Sequence, residues 1–258
     1  MTSSPSALYP GDPRITPATM AADLVTAPAP EGLSPGPVAL LDLDGTLMDS
    51  VEGIVASVRA AYAALGLPVP DDAALRGFVG PPITTSMPAH GVPAELLEAA
   101  VTHYQEEFAR TGLWRTQVYD GVVEALMRLR MEGVVLVVAT SKPQVLARPV
   151  CREFGLDRLV DAVFGAPLDE SGSKASVIAE ALAWLGPERT ADPRDVVMVG
   201  DREHDVAGAA AHGIATLGVL YGYGSADELL DAGAVGLVRG PRDLAGAVLR
   251  QFGLGDEL

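Results

Sequence analysis

The chain has 258 residues and sets 34 Asp plus Glu against 18 Lys plus Arg, a formal net charge of −16. Binding a nucleic-acid polymer needs a basic face that displaces counterions from phosphates, and no Lys/Arg cluster supplies one. Apolar runs such as Val134 to Ala139 are strand-sized, and the single cysteine, Cys151, permits no internal disulfide, so the expectation is a reducing cytoplasm and no membrane partner.

Residues 1–37 hold eight of the chain's twenty prolines among Ser, Ala, Thr and Gly, without apolar periodicity, which predicts a disordered N-terminal extension. It lacks the basic start and continuous apolar stretch of a secretory signal. From Val38 onward, aliphatic runs alternate with amphipathic segments of helical length, which predicts an α/β fold with a doubly wound, parallel, Rossmann-like sheet. The expected strands, Val38–Leu43, Val134–Ala139, Asp161–Gly165, Val196–Gly200 and Ala215–Leu220, are nearly all apolar, as strands buried on both faces are. Helices are expected over Ser50–Leu65, Gly121–Glu132, Pro143–Phe154, Lys174–Leu185, Asp205–His212 and Asp227–Asp231. Between the first two strands lie about ninety residues, where a crossover needs about a dozen. This excess predicts an inserted α-helical cap subdomain over 50–118, with a Pro/Gly-punctuated segment at Gly77–Ile83 and a helical pattern over Pro93–Arg110. Residues 38–49 and 119–258 would then form the core domain.

In open α/β sheets, chemistry collects at the carboxyl ends of the strands. Asp42-Leu43-Asp44-Gly45-Thr46 follows the first strand, Thr140-Ser141-Lys142 the second, and Gly200-Asp201 with Asp205 the strand from Val196; Lys174 opens the helix before that last strand. Asp42 and Asp44, two apart on an extended segment, can reach one site. Several carboxylates at one edge are costly unless a cation sits among them, and a hard divalent ion such as Mg²⁺ fits oxygen donors of this kind. Of the 18 basic residues only Lys142 and Lys174 are lysine. In a chain that otherwise uses arginine, a lysine marks a place where a compact ammonium matters. That reasoning is applied chiefly to Lys174; Lys142 is read as a helix cap.

Each feature also has an ordinary reading. A DxD sequence is commonly a solvated turn, and Asp201 and Asp205 could be helix N-terminal carboxylates. Cys151 is expected to face the core beside Val150 and Phe154, and Gly222 and Gly224 to form a turn. No catalytic role is expected for His90, His103, His204 or His212.

Taken in order, Asp42-Leu43-Asp44-Gly45-Thr46, Thr140, Lys174 and Gly200-Asp201 with Asp205 resemble the four motifs of the haloacid dehalogenase superfamily of aspartate-nucleophile phosphatases. Phe78-Val79-Gly80-Pro81-Pro82, Thr140-Ser141-Lys142-Pro143 and Tyr221-Gly222-Tyr223-Gly224 followed by Glu228-Leu229 are similar to its phosphoglycolate phosphatase and bacterial 5′-nucleotidase-like branch. The resemblance implies Asp42 as nucleophile, Asp44 as proton carrier, Thr140 and Lys174 as phosphate-binding residues, and Asp205 in support. It implies Mg²⁺ held by the Asp42 carboxylate, the Asp44 main-chain carbonyl and Asp201. The expected activity is a Mg²⁺-dependent phosphomonoesterase acting on a small phosphorylated metabolite through an aspartyl phosphate, phosphoglycolate phosphatase-like. The alternatives are a 5′-nucleotidase, a sugar phosphomutase and, outside enzymes, a phosphoacceptor regulatory domain. Nothing in the sequence separates a monomer from a homodimer.

Overall fold

A computed structural model describes residues 14–29, 32–168 and 172–255. Six parallel strands form the central sheet in the order β5-β4-β1-β6-β7-β8: β1 (Val38–Leu41), β4 (Val135–Pro143), β5 (Ala162–Ala166), β6 (Val196–Gly200), β7 (Ala215–Val219) and β8 (Gly236–Val238). A separate antiparallel pair, β2 (Met48–Asp49) with β3 (Gln117–Val118), stands where the chain leaves and rejoins this layer.

The apolar strands are divided residue by residue between two cores. Ala39, Leu41, Leu136, Val138, Val197 and Val199 face one side. There they pack with Leu126 and Leu129 of α6 (Val122–Met131), Val145 and Val150 of α7 (Gln144–Glu153), and Val248 of α12 (Leu244–Gln251). Val38, Leu40, Val135, Val137, Val196 and Met198 face the other side, against Val177, Ile178 and Ala181 of α8 (Lys174–Leu185) and Ala209 of α10 (Glu203–Ala210). This two-sided burial, with period two along each strand, is what a parallel sheet between helical layers requires. Short helices α9 (Pro187–Thr190) and α11 (Ala226–Ala232) complete the layers. The expected doubly wound α/β fold is present. The edge strand β8 and α12 were not anticipated from the sequence.

Between β2 and β3 the chain forms α2 (Val51–Ala64), α3 (Asp72–Arg76), α4 (Ile83–Ala89) and α5 (Leu97–Arg110). Val58, Tyr62, Phe78, Met87 and Phe108 of this helical segment are buried in the same cluster as the α6–α7 side of the sheet.

The N-terminal expectation needs correction over its described part. Pro17–Asp23 is a helix, α1, started by a reciprocal cap in which Thr16 Oγ1 accepts from the Thr19 amide at 3.1 Å and Thr19 Oγ1 from the Thr16 amide at 2.7 Å. Ile15 and Met20 are buried. Asp23 pairs with Arg152 at 2.6 Å, and Arg148 donates to the Asp23 and Val25 carbonyls at 2.7 Å each. Two apolar anchors and a ready set of α7 donors order a segment whose proline content argued for disorder. The rest of that expectation, residues 1–13, 30 and 31, lies outside the described residues. Among the described residues no helix is long and apolar enough to cross a membrane.

Candidate active site

Strand order reverses beside β1, whose neighbours β4 and β6 come from opposite directions of winding, and the site lies at the carboxyl ends of these three strands. Asp42 leaves β1 with its amide donating to the Val199 carbonyl at 2.9 Å, so sheet hydrogen bonding fixes its backbone. Lys174, capped into the first position of α8 by Ser173, places Nζ 2.6 Å from Asp42 Oδ1, 2.7 Å from Asp205 Oδ1 and 3.0 Å from the Ala139 carbonyl. Asp205, on the first turn of α10, accepts the Asp201 and Arg202 amides on Oδ2, each at 3.1 Å. It therefore ties the Asp201 loop to Lys174.

Asp201 is fully buried; its Oδ2 accepts the Tyr223 amide at 2.8 Å, while Oδ1 has no hydrogen-bond partner among the described residues. Gly45 makes this approach possible: its φ is +86°, and a Cβ there would fall 2.2 Å from Asp201 Oδ2. Thr140 lies at the end of β4 with its hydroxyl accepting the Lys142 amide at 3.2 Å. The register of β4 against β5 shifts between Thr140 and Pro143. Such irregularities re-aim side chains, and here Lys142 turns to Asp44, Nζ to Oδ1 at 2.7 Å, where Ser50 Oγ also donates. Asp42, Asp44, Thr140, Lys174, Asp201 and Asp205 thus all lie at one edge of the sheet. Sequence reasoning missed Lys142 and Ser50 as partners of Asp44. It also missed Tyr223, whose hydroxyl accepts the Ser50 amide at 2.7 Å and lies 3.0 Å from Asp49 Oδ1. The rarity of lysine was the available signal for Lys142.

The electrostatics call for a cation. Four carboxylates meet two ammonium groups, leaving two negative charges in excess. One oxygen each of Asp42, Asp201 and Asp205 lies within 4.8 Å of the others. Burial pushes the Asp42 carboxyl up to about 6, against the pull of Lys174. Burial, followed by the charges of Asp205 and Asp42, raises Asp201 well above the ordinary carboxylate value. Burial alone would lower the Lys174 ammonium, but Asp205 and Asp42 outweigh it and hold it above the usual lysine value. The orphaned Asp201 oxygen and this all-oxygen donor set fit a hard divalent ion.

Above these residues is a cavity of about 280 Å³, with Asp42, Asp44, Thr140 and Lys174 on its floor and α5 and the Phe78–Ile83 segment opposite. Arg202 spans from floor to roof: Nε donates to Glu228 at 2.8 Å, and Nη1 to the Val79 carbonyl at 2.6 Å. Cys151 is buried, and burial pushes its thiol up to about 12, as an inert core residue.

Residues 39–219 match the family model of haloacid dehalogenase-like hydrolases. The chain is 44% identical over 194 residues to a 5′-nucleotidase of Pseudomonas aeruginosa, covering 75% of this chain and 86% of that one. It is 44% identical over 191 residues to the tyrosine-protein kinase PtkA of Mycobacterium tuberculosis, covering 74% of this chain but only 64% of that relative's length. A solved structure of a predicted phosphatase from Clostridium acetobutylicum gives a TM-score of 0.77 at 38% identity, over 83% of this chain and 99% of the other. Sheet winding, motif positions and these likenesses agree: the chain belongs to the haloacid dehalogenase-like hydrolase family.

Proposed function

We propose that the protein is a Mg²⁺-dependent phosphomonoesterase that hydrolyses a small phosphorylated metabolite through an aspartyl phosphate on Asp42. The observation that carries this is the pairing of roles across two residues. Asp42 has Oδ1 held by Lys174, while Asp44 is oriented separately by Lys142 and Ser50, and both line the same cavity.

In the first step an Asp42 oxygen forms a bond to phosphorus as the ester P–O bond breaks, and the departing oxygen takes its proton from the Asp44 carboxyl. In the second, Asp44 takes a proton from water, whose oxygen attacks phosphorus and releases phosphate and the Asp42 carboxylate. Thr140 and Lys174 hold the phosphoryl oxygens, and the Asp205 carboxylate positions Lys174. The Asp42 and Asp201 carboxylates and the Asp44 main-chain carbonyl would hold Mg²⁺, which supplies neutralisation of phosphoryl charge. The helical segment over 50–118 acts as a cap that excludes water while the acyl phosphate exists.

The likeness to PtkA favours a second reading, phosphoryl transfer to a tyrosine, which would use Asp42 and Asp44 in the same way but leave the phosphoryl group on protein. A phosphoacceptor regulator has no use for Asp44 as proton carrier. Continuous phosphate release separates the three. Release is expected with wild type and Mg²⁺, and not with Asp42→Asn or excess EDTA; stoichiometric labelling without turnover, or EDTA-resistant turnover, would overturn the reading.

A further inference from the structure

We infer that Thr116 is a positioning residue for the proton carrier Asp44, acting through Ser50, and that Asp44 Oδ2 is the oxygen that carries the proton. The inference rests on the phosphomonoesterase reading and deepens it. Among the described residues, every hydrogen bond to the Asp44 side chain goes to Oδ1, from Lys142 Nζ at 2.7 Å and from Ser50 Oγ. Oδ2 is left for chemistry, on a residue that lines the cavity. Ser50 directly follows β2 and Thr116 directly precedes β3, and Asp49 and Gln117 of those strands are paired. The two hydroxyl residues therefore stand side by side where the helical segment joins the sheet layer, with their oxygens 2.9 Å apart. Neither lines the cavity, so Thr116 reaches the chemistry only through its neighbour.

The direction of these bonds follows from counting hydrogens. Ser50 and Thr116 bring one hydroxyl hydrogen each to three contacts: Ser50 with Asp44, Ser50 with Thr116, and Thr116 with the Asp49 carbonyl at 3.0 Å. The ion pair with Lys142 marks Asp44 Oδ1 as a charged acceptor, which takes a hydrogen ahead of a neutral hydroxyl, so Ser50 donates to Asp44. The contact between Ser50 and Thr116 then holds a hydrogen only when Thr116 supplies it, shared with the Asp49 carbonyl. The chain runs from Thr116 to Ser50 to Asp44, and bonds aligned in one direction strengthen one another. The Ser50 backbone is fixed separately: its amide donates to the Tyr223 hydroxyl at 2.7 Å, and that hydroxyl donates to Asp49 Oδ1 at 3.0 Å. What remains to be set in Ser50 is the hydroxyl rotor, and Thr116 sets it. Oδ1 accepts in this arrangement whether or not Oδ2 carries the proton, so Asp44 keeps one orientation through both steps of the proposed reaction.

The test uses two leaving groups of similar shape and different basicity, with Mg²⁺ present. The p-nitrophenolate of p-nitrophenyl phosphate departs without a proton, whereas the more basic oxygen of phenyl phosphate needs one, and kcat/KM reports the steps up to that departure. Thr116→Val keeps the shape and removes the hydroxyl. It is expected to lower kcat/KM for phenyl phosphate about tenfold, the order of one lost hydrogen bond, and for p-nitrophenyl phosphate by less than about twofold. The ratio of the two losses is the readout, because unfolded protein lowers both alike. Thr116→Ser should restore the ratio of the wild type. In a Ser50→Ala background Thr116→Val should add nothing, because the two residues act in series. An unchanged ratio in Thr116→Val, or additive losses in the double variant, would overturn the inference and leave the phosphatase reading intact. Wild-type protein that hydrolyses neither ester would overturn the phosphatase reading, and the role of Thr116 with it.

Discussion

Lys142 and Asp44 form an ion pair, Nζ to Oδ1 at 2.7 Å, with side chains 6% and 14% exposed. The pair connects the bulged end of β4 to the second carboxylate after β1, so Asp44 is aimed by a residue 98 positions away. Lys142→Met keeps the stem and removes the charge. It should lower kcat by about 100-fold, the low end of what positioned proton transfer contributes, with KM little changed. Steady-state phosphate release checks this; an unaltered kcat would mean that Ser50 alone orients Asp44.

Gly208→Ala should run against the usual helix rule. In an ordinary helix interior this change stabilises by about 1 kcal/mol. Here the new Cβ would fall 2.7 Å from Lys174 Cγ, and the lysine cannot retreat because three oxygens hold its Nζ. Overpacking costs about 1–3 kcal/mol. Urea denaturation should show a lower midpoint, and activity should fall with it; a stabilised, fully active variant would contradict this packing.

Metal-free stability should depend on pH with a defined sign. Asp42 is raised from 3.8 to about 6 and Asp201 is raised as well, so both hold protons in the folded chain where the unfolded chain has released them. The folded state therefore loses stability as pH climbs through that window, fully so above about 6 on the account of Asp42. The Tm without metal should be lower at pH 7.5 than at pH 5.5 in Asp42-containing protein relative to Asp42→Asn. Mg²⁺ should raise Tm more at the higher pH; equal shifts at both would count against carboxylate ligation.

Removing residues 1–29 should weaken the fold while sparing the chemistry. The deletion strips Ile15 and Met20 from the core and the Asp23 partner from Arg152. Each apolar burial is worth about 1.5–3 kcal/mol, partly offset by the backbone ordering that is no longer required, which predicts a loss of about 2–4 kcal/mol. No described residue of 14–29 lines the cavity, so kcat/KM should stay unchanged. Chemical denaturation beside kinetics separates the two effects.

The sheet was legible because strands such as Val135–Ala139 and Val196–Val199 must be apolar on both faces, and few other folds ask that of so short a run. The edge strand Gly236–Val238 was not, since two half-buried residues and one buried valine, opened by glycine, carry no such pattern. Asp42, Thr140 and Asp201 could be placed because each directly follows a strand core. Lys142 and Tyr223 could not, because their roles depend on a register shift and on a loop returning from β7. At the N-terminus, Thr16 followed by Pro17 was a local helix-start signal that composition outweighed.

Arg202 gives the final consequence. Its amide is held by Asp205 and its guanidinium by Glu228 and the Val79 carbonyl, so one residue belongs at once to the carboxylate loop and to the roof. If the roof lifts for product to depart, the bond to Val79 must break while those to Asp205 and Glu228 persist. The guanidinium then stays behind as a fixed peg, and the roof has a defined seat to return to. Such a peg ties the roof's resting place to the loop that carries Asp201.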